Sequence, residues 1–179
     1  MRFATARDVG LAYPEMAGEL RSRLDDTPSR AFLDRLAAER PRADAVSFIA
    51  YLLPRREAVW WAVTCVRLEP KAFEIAEQPL LAAAATWVAD PNDGDRGKLL
   101  AAGTAADPIR PATWIALAVG WSGGLLHDGG LSKVMCQPHM SPAAVRAAVL
   151  LASSFAADAQ AFLGRCLDEG RTILSGSQN

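Results

Sequence analysis

One stretch of this chain predicts a helix that is apolar on almost every side. It runs from Tyr51 to Glu69 and reads YLLPRREAVWWAVTCVRLE. Pro54 suits the first position of a helix, because its missing N–H would have no partner there. At 3.6 residues per turn, apolar side chains cover most of the circumference and leave one narrow polar stripe. Such a helix must be enclosed by others, so we predict that residues 54–69 form the centre of the fold.

The polar stripe of this helix includes one large aromatic residue, Trp60. Trp61 lies opposite the stripe and is predicted to be core. A Trp rimmed by charge is typical of protein interfaces. Trp is also highly buried on average, so coverage of Trp60 by a neighbouring helix is the alternative, and it is slightly favoured. The other residues of the stripe are Glu57, Thr64 and Arg67, and Arg55 and Arg56 lie one turn earlier.

The rest of the chain repeats apolar residues at helical spacing, with prolines between the segments. Pro79 is expected to kink one segment or divide it in two. Ser141 and Pro142 begin a last long helix, whose apolar stripe continues to Cys166. No run alternates apolar and polar residues beside a hairpin signal. We therefore predict an all-α fold, a compact irregular bundle of about six or seven helices around the helix near 54–69.

Three regions are expected along the chain. Residues 1–26 have a mixed pattern, with a short helix after Thr5 at most, and are expected to be a loosely packed N-terminal lead-in. Residues 27–170 are expected to form a single helical domain, a normal size for one core. Residues 171–179 are expected to be a flexible tail.

Composition excludes several classes of function. A net charge of −1 and a pI near 6.1 provide no field that would attract nucleic acid or anionic lipid. The longest uncharged stretch is about sixteen residues, short of the roughly twenty that cross a bilayer. The N-terminus lacks the apolar run of a signal peptide, and the three cysteines do not suggest a disulfide framework. We expect a cytoplasmic protein that binds neither nucleic acid nor membrane.

The segment from Ser122 to Met140 contains the few residues that suggest chemistry. Cys136 and His139 form a C-x-x-H pair, and His127 and Asp128 precede them in the same loop. Such residues bind Zn²⁺ in other proteins, and a Cys with a His base is a nucleophile in some enzymes. Only one pair is local, however, and no third partner for catalysis is identifiable. A plain loop is the favoured interpretation, with no catalytic residue, metal or cofactor assigned.

Two other patterns suggest anion binding but fit simpler roles. The glycines of Ser122–Gly124 lack the Lys-Ser/Thr and the preceding strand of a phosphate-binding loop. They are interpreted as helix termination after Trp121. Arg55, Arg56 and Glu57 could recognise an anion at a helix N-terminus, but a solvated first turn with an internal ion pair is the commoner arrangement.

Three blocks of the sequence resemble a family of small bacterial proteins, a domain of unknown function. The blocks are PRREAVWW within Tyr51–Ala62, WVADP at Trp87–Pro91 and WSGG at Trp121–Gly124, and the resemblance extends from about Ala45 to Phe155. It implies no known activity, and some members lie near type VI secretion genes. In relatives the segment after WSGG tends to be rich in proline, and this chain departs from that pattern.

The sequence favours a protein–protein interaction or accessory protein, associated with type VI secretion if the resemblance holds. The alternative is a small enzyme or metal-binding protein that uses the 122–140 loop. The partner is expected to be a protein, and the oligomeric state is left open. The candidate contact residues are Arg55, Arg56, Glu57, Trp60, Trp121, Gly123 and Gly124.

Overall fold

The computed structural model describes residues 2–128 and 133–176, with the backbone alone for His127, Asp128 and Lys133. The all-α prediction is confirmed: the described residues form ten α-helices, two short 3-10 turns and one small β-hairpin. The helices are α1 (Ala6–Ala12), α2 (Pro14–Ala17), α3 (Ser29–Ala38), α4 (Ala43–Leu52), α5 (Arg55–Arg67), α6 (Gln78–Ala89), α7 (Asp93–Ala105), α8 (Pro111–Gly120), α9 (Met140–Ser153) and α10 (Ala159–Gly176). The 3-10 turns are Pro70–Ala72 and Ile75–Glu77, and the strands are β1 (Leu125–Asp128) and β2 (Lys133–Met135).

Helix α5 is the centre of the bundle, as predicted. It packs against α6, α8, α9 and α10, which enclose the apolar side chains that cover most of its circumference. Trp61 is 0% exposed. Its indole Nε1 donates a hydrogen bond of 2.7 Å to the carbonyl of Cys166 on α10. Pro54 is the residue before the helix rather than its first residue, a difference of one position.

Helices α7 and α8 approach each other closely through two glycines. A Cβ built on Gly103 would lie 3.1 Å from the backbone nitrogen of Leu117, and one on Gly120 would lie 2.8 Å from the Cα of Leu100. Both distances are shorter than ordinary van der Waals contact. The absence of a side chain at these two positions therefore allows the backbones of the two helices to pack together.

The predicted last long helix is two helices. The chain leaves helical geometry after Ser153, although the apolar stripe continues past that point. Ser153 and Ser154 each donate a side-chain hydrogen bond to a carbonyl three residues earlier, which competes with helix continuation. Asp158 then accepts a bond of 2.9 Å from the backbone N–H of Ala161 and caps α10. Helical spacing alone did not reveal this break.

The expectation of a loosely packed N-terminal lead-in is wrong. Val9, Tyr13 and Met16 are buried in the core, and the ring of Tyr13 meets that of Tyr51 edge-on at 5.1 Å. Burial, with a smaller effect of nearby Glu19, raises the pKa of Tyr51 to about 12. The segment is also tied to the domain by main-chain hydrogen bonds, including Ser29 N to the carbonyl of Ala4 at 2.9 Å. The predicted helix after Thr5 is present, and a capping box between Thr5 and Asp8 caps its N-terminus.

The expectation of a flexible tail is also wrong for residues 171–176. Helix α10 continues to Gly176, and Leu174 is buried. Arg171 anchors this last part by an ion pair of 2.9 Å with Asp34 of α3. Residues 177–179 lie outside the described chain.

The 122–140 segment contains strands, which the sequence did not predict. β1 pairs antiparallel with β2 and has an irregular register between Leu125 and His127. The carbonyl of Gly124 extends the contact by accepting a bond of 3.1 Å from Cys136 N. The strands are only four and three residues long, too short for an alternating pattern to stand out from the sequence.

Two further expectations concern the whole chain. No helix of the described ranges combines the length and apolarity needed to cross a bilayer. All three cysteines are free thiols, consistent with the expectation that they form no disulfide framework. Cys65 and Cys166 lie side by side in the core, and burial raises the pKa of the Cys65 thiol.

Candidate functional site

The three sequence blocks, which lie far apart in the chain, meet at the start of α5. Arg55 donates from Nη1 to the carbonyl of Ser122 at 2.6 Å, which joins the first block to WSGG. Arg56 donates from Nη2 to the carbonyl of Ala89 at 3.4 Å, which joins it to WVADP. The adjacent arginines therefore donate hydrogen bonds at the C-terminal ends of two different helices, α6 and α8.

Arg96 of α7 makes a third contact of the same kind. Its Nη1 donates to the carbonyl of Gly120, the last residue of α8, at 3.0 Å, and its Nε donates to Asp93 at 3.0 Å. Carbonyls at the end of a helix have no partner within the helix, and the end carries a partial negative charge. Guanidinium groups at these positions satisfy the carbonyls and stabilise the helix ends.

A cleft of about 320 Å³ lies beside this junction. At its edge, Trp87 donates from Nε1 to the carbonyl of Asn92 at 3.2 Å. The side chain of Asn92 in turn caps α7 by accepting a bond of 2.9 Å from Asp95 N. The cleft is lined by Trp87, Pro91, Asn92, Asp93, Arg96, Ser122 and Gly123.

Gly124 closes the junction with a backbone conformation that favours glycine. Its φ is +69°, and a Cβ at this position would lie 2.7 Å from Cζ of Arg96. Both the left-handed backbone and the close guanidinium exclude a larger side chain. Trp121 packs partly buried against the core, and its indole nitrogen has no hydrogen-bond partner among the described residues. The WSGG block thus shapes the end of α8, which supports its interpretation as helix termination.

A different surface lies on the exposed side of α5. Trp60 is 40% exposed, so its neighbours cover the ring only in part. Arg56 and Arg67, the residues four before and seven after it, are also exposed. Because Arg56 reaches the end of α6 and Arg67 shares a pocket with its start, α6 runs alongside α5 in the opposite direction.

The pocket at the Arg67 end of this surface has a volume of about 370 Å³. Its apolar lining comes from half-buried Phe73, buried Leu81 and the exposed methyl group of Ala82. We use the name α5–α6 face for Arg56, Trp60 and Arg67 together with the other pocket residues, which are Phe73, Gln78, Leu81 and Ala82.

Six of the seven candidate contact residues fall into two groups. Arg55, Trp121, Gly123 and Gly124 belong to the helix-end junction, whereas Arg56 and Trp60 belong to the α5–α6 face. Trp60 is about 140° round the helix from Arg55, so the two groups lie on different sides of α5. Glu57 is half-buried, about 60° round the helix from Trp60.

The loop residues considered for metal binding or catalysis lie apart. The thiol of Cys136 faces the carbonyl of Gly120 at 3.9 Å, and burial raises its pKa, which disfavours the reactive thiolate. The Nδ1 of His139 lies 3.3 Å from a carboxylate oxygen of Glu15. The side chains of His127 and Asp128 lie outside the described residues. In the described ranges, no group of three or more His, Cys, Asp or Glu side chains could hold a metal ion.

Replacing Cys136 with Ser and His139 with Ala together is expected to leave stability almost unchanged. A Ser hydroxyl keeps a donor for Gly120, and a partly exposed contact such as that between His139 and Glu15 contributes at most about 1 kcal/mol. Thermal melts of the purified wild type and double variant, with and without a chelator, test this. Stoichiometric zinc in the wild type that is absent from the double variant would contradict the prediction.

Sequence reasoning missed Arg96 and the pocket beside Arg67. Nothing in the sequence around Arg96 indicates its partner, because Gly120 is distant in the chain and offers only a carbonyl. The pocket combines the end of α5, the turn that contains Phe73 and the first turns of α6. The cap of α7 was predictable, because Asp90 to Asp93 have the residues of a turn and of a helix N-cap, and Asn92 is the residue that caps α7.

Comparison with known proteins gives a family but no activity. No curated protein and no solved structure matches the chain. A family of unknown function, DUF6931, matches residues 32–174. That range includes most of α3, all of α4 to α9 and nearly all of α10, and with them both the helix-end junction and the α5–α6 face. Because the match covers most of the chain, we conclude that the protein belongs to the DUF6931 family.

Proposed function

We propose that this protein is a non-catalytic protein-binding domain that acts as an accessory factor in the cytoplasm and binds its partner through the α5–α6 face. One observation carries the proposal. Trp60, on the central helix of the bundle, is 40% exposed and lies between two exposed arginines. Together with the apolar lining of the neighbouring pocket, this ring forms an apolar patch rimmed by charge, and such patches are a common sign of a binding surface.

The chemistry of this face fits a binding anchor. Trp and Arg are the residues most enriched among those that dominate interface energies. The indole ring offers a broad apolar area, and the neighbouring pocket offers a recess for a partner side chain. Helix α5 is held on its other sides by four helices, so its exposed side chains project from a rigid platform and lose little freedom on binding.

The proposed association with bacterial type VI secretion rests on the resemblance of the three sequence blocks alone. An accessory protein in such a system would need a binding surface and no chemistry of its own. The helix-end junction then has a structural role, because it fixes the start of α5 and so the position of Trp60.

Replacing Trp60 with Ala is expected to weaken partner binding by roughly 2 kcal/mol or more, about thirtyfold in affinity. The fold should be retained, with a stability loss of about 1 kcal/mol, because much of the ring is already in water. Wild type and variant are used to capture proteins from a lysate of the native host. A protein identified by mass spectrometry is then purified, and its dissociation constant is measured against both.

Leu11→Ala is the matched control, because Leu11 is 74% exposed on α1 and lies off the α5–α6 face. It should bind the partner as tightly as wild type. A partner that binds Trp60→Ala and wild type equally well would end the proposal for this face. A strongly destabilised Trp60→Ala variant would show that Trp60 acts in the core instead.

A further inference from the structure

The α5–α6 face carries positive charge that this chain does not neutralise. Among the described residues, neither Arg56 nor Arg67 has an acidic side chain within ion-pair distance. Other exposed arginines of the described ranges, such as Arg23 and Arg40, also lack an ion pair, but Arg56 and Arg67 lie on one side of the same helix with an exposed aromatic ring between them.

The two arginines are aligned with the exposed aromatic ring. At 100° per residue, Arg56, Trp60 and Arg67 fall within a sector of about 40° on α5, and eleven residues of rise separate the arginines by about 16 Å. Arg56 uses one donor in a long bond to Ala89, and a guanidinium carries five. The face therefore presents a positive group at each end of an apolar centre.

The pocket beside Arg67 adds an apolar recess next to one of these charges. Phe73, Leu81 and Ala82 line it, and its volume of about 370 Å³ accepts one aliphatic or aromatic side chain. A partner that placed an apolar residue there would bring its neighbouring backbone close to the guanidinium of Arg67. A carboxylate at that point of the partner would form a bidentate pair with Arg67.

We propose that the partner of the α5–α6 face is an acidic protein segment, with carboxylates that pair with Arg56 and Arg67 and an apolar side chain next to the second carboxylate that fills the pocket beside Arg67. This inference rests on the proposed function, since it names the chemistry of the partner at the same surface. A nucleic acid fits less well. Two guanidinium groups that lack ion pairs among the described residues, with Glu57 at their side, do not form the extended basic groove that tracks a phosphate backbone.

The test is a selection of displayed random peptides of about sixteen residues, long enough as a helix to span the two arginines. Selection on the full-length wild-type protein is followed by measurement of each enriched peptide against variants. Arg56→Glu/Arg67→Glu reverses the charge of the face. Arg23→Glu/Arg40→Glu makes the same change of net charge at exposed positions off the face. Trp60→Ala reports on the anchor.

The expected result is a set of peptides rich in Asp and Glu around one apolar residue. Their binding should weaken tenfold or more in Arg56→Glu/Arg67→Glu, persist in Arg23→Glu/Arg40→Glu, and weaken as NaCl rises from about 50 to about 500 mM. Peptides that need Trp60 but are neutral or basic would overturn the acidic partner and leave the proposed function standing. No Trp60-dependent peptide at all would remove both.

Two other occupants are checked with the same proteins. A concentration-dependent dimer that Trp60→Ala abolishes would assign the face to a second copy of this chain. Tight binding of a single-stranded oligonucleotide that Arg56→Glu/Arg67→Glu abolishes would assign it to nucleic acid. Either result would overturn the acidic-segment proposal.

Discussion

Trp61→Ala is expected to lower the free energy of unfolding by about 3–5 kcal/mol, a large part of the stability of a domain of this size. The ring of Trp61 is 0% exposed, and its indole nitrogen bonds to the carbonyl of Cys166. Gly170 of α10 faces the same ring, since a Cβ there would lie 3.0 Å from the indole nitrogen. Truncation therefore leaves a cavity between α5 and α10, which denaturant or thermal unfolding measures directly.

Two variants separate the causes of that loss. Trp61→Phe keeps an aromatic ring in the core but removes the hydrogen bond, which accounts for about 1 kcal/mol of the effect. Trp60→Ala removes the same side chain from the neighbouring, exposed position and should cost far less than Trp61→Ala. Equal losses in Trp60→Ala and Trp61→Ala would show that α5 is not the centre of the core.

Gly120→Ala is expected to cost about 1–3 kcal/mol, the range for overpacking a tight interface. The added Cβ would lie 2.7 Å from Cβ and 2.8 Å from Cα of Leu100. One of these atoms belongs to the backbone of α7, so a rotamer change cannot relieve the overlap. The two helices must separate, and Arg96, which bonds to the carbonyl of Gly120, would be displaced with them.

Gly97→Ala on α7 is the matched control, because nothing lies within 4 Å of a Cβ at that position. Ala has the higher helix propensity, so this variant should gain about 0.5–1 kcal/mol. Opposite signs for the two changes are therefore the expected result in chemical unfolding experiments. A stabilised Gly120→Ala variant would contradict the close packing of α7 on α8.

The two tryptophans of α5 illustrate how far helical periodicity reaches. Periodicity places Trp61 opposite the polar stripe, and the structure confirms that it is buried. It also places Trp60 on the stripe but does not say whether another helix covers it. That outcome depends on where α6 lies beside α5, and a local pattern contains no information about a neighbour several turns away.

The errors at the two ends of the domain have a related cause. Tyr13 and Met16 lie in the core although no sustained period surrounds them, because their burial comes from contacts with residues such as Tyr51. Leu174 is buried because α10 continues alongside α3, where Arg171 meets Asp34. Short segments with mixed composition reveal little from sequence when distant elements provide the packing.

The sequence by itself determined the all-α class, the central position of α5 and the assignment of Trp61 to the core, because each follows from side-chain spacing within one element. The tertiary structure alone decided what the arginines do. Arg55 and Arg96 donate to main-chain carbonyls at the end of α8, and carbonyls carry no mark in a sequence. The tertiary structure also decided that Trp60, Arg56 and Arg67 form one open face with a pocket, because that face exists only where α5, a turn and α6 meet.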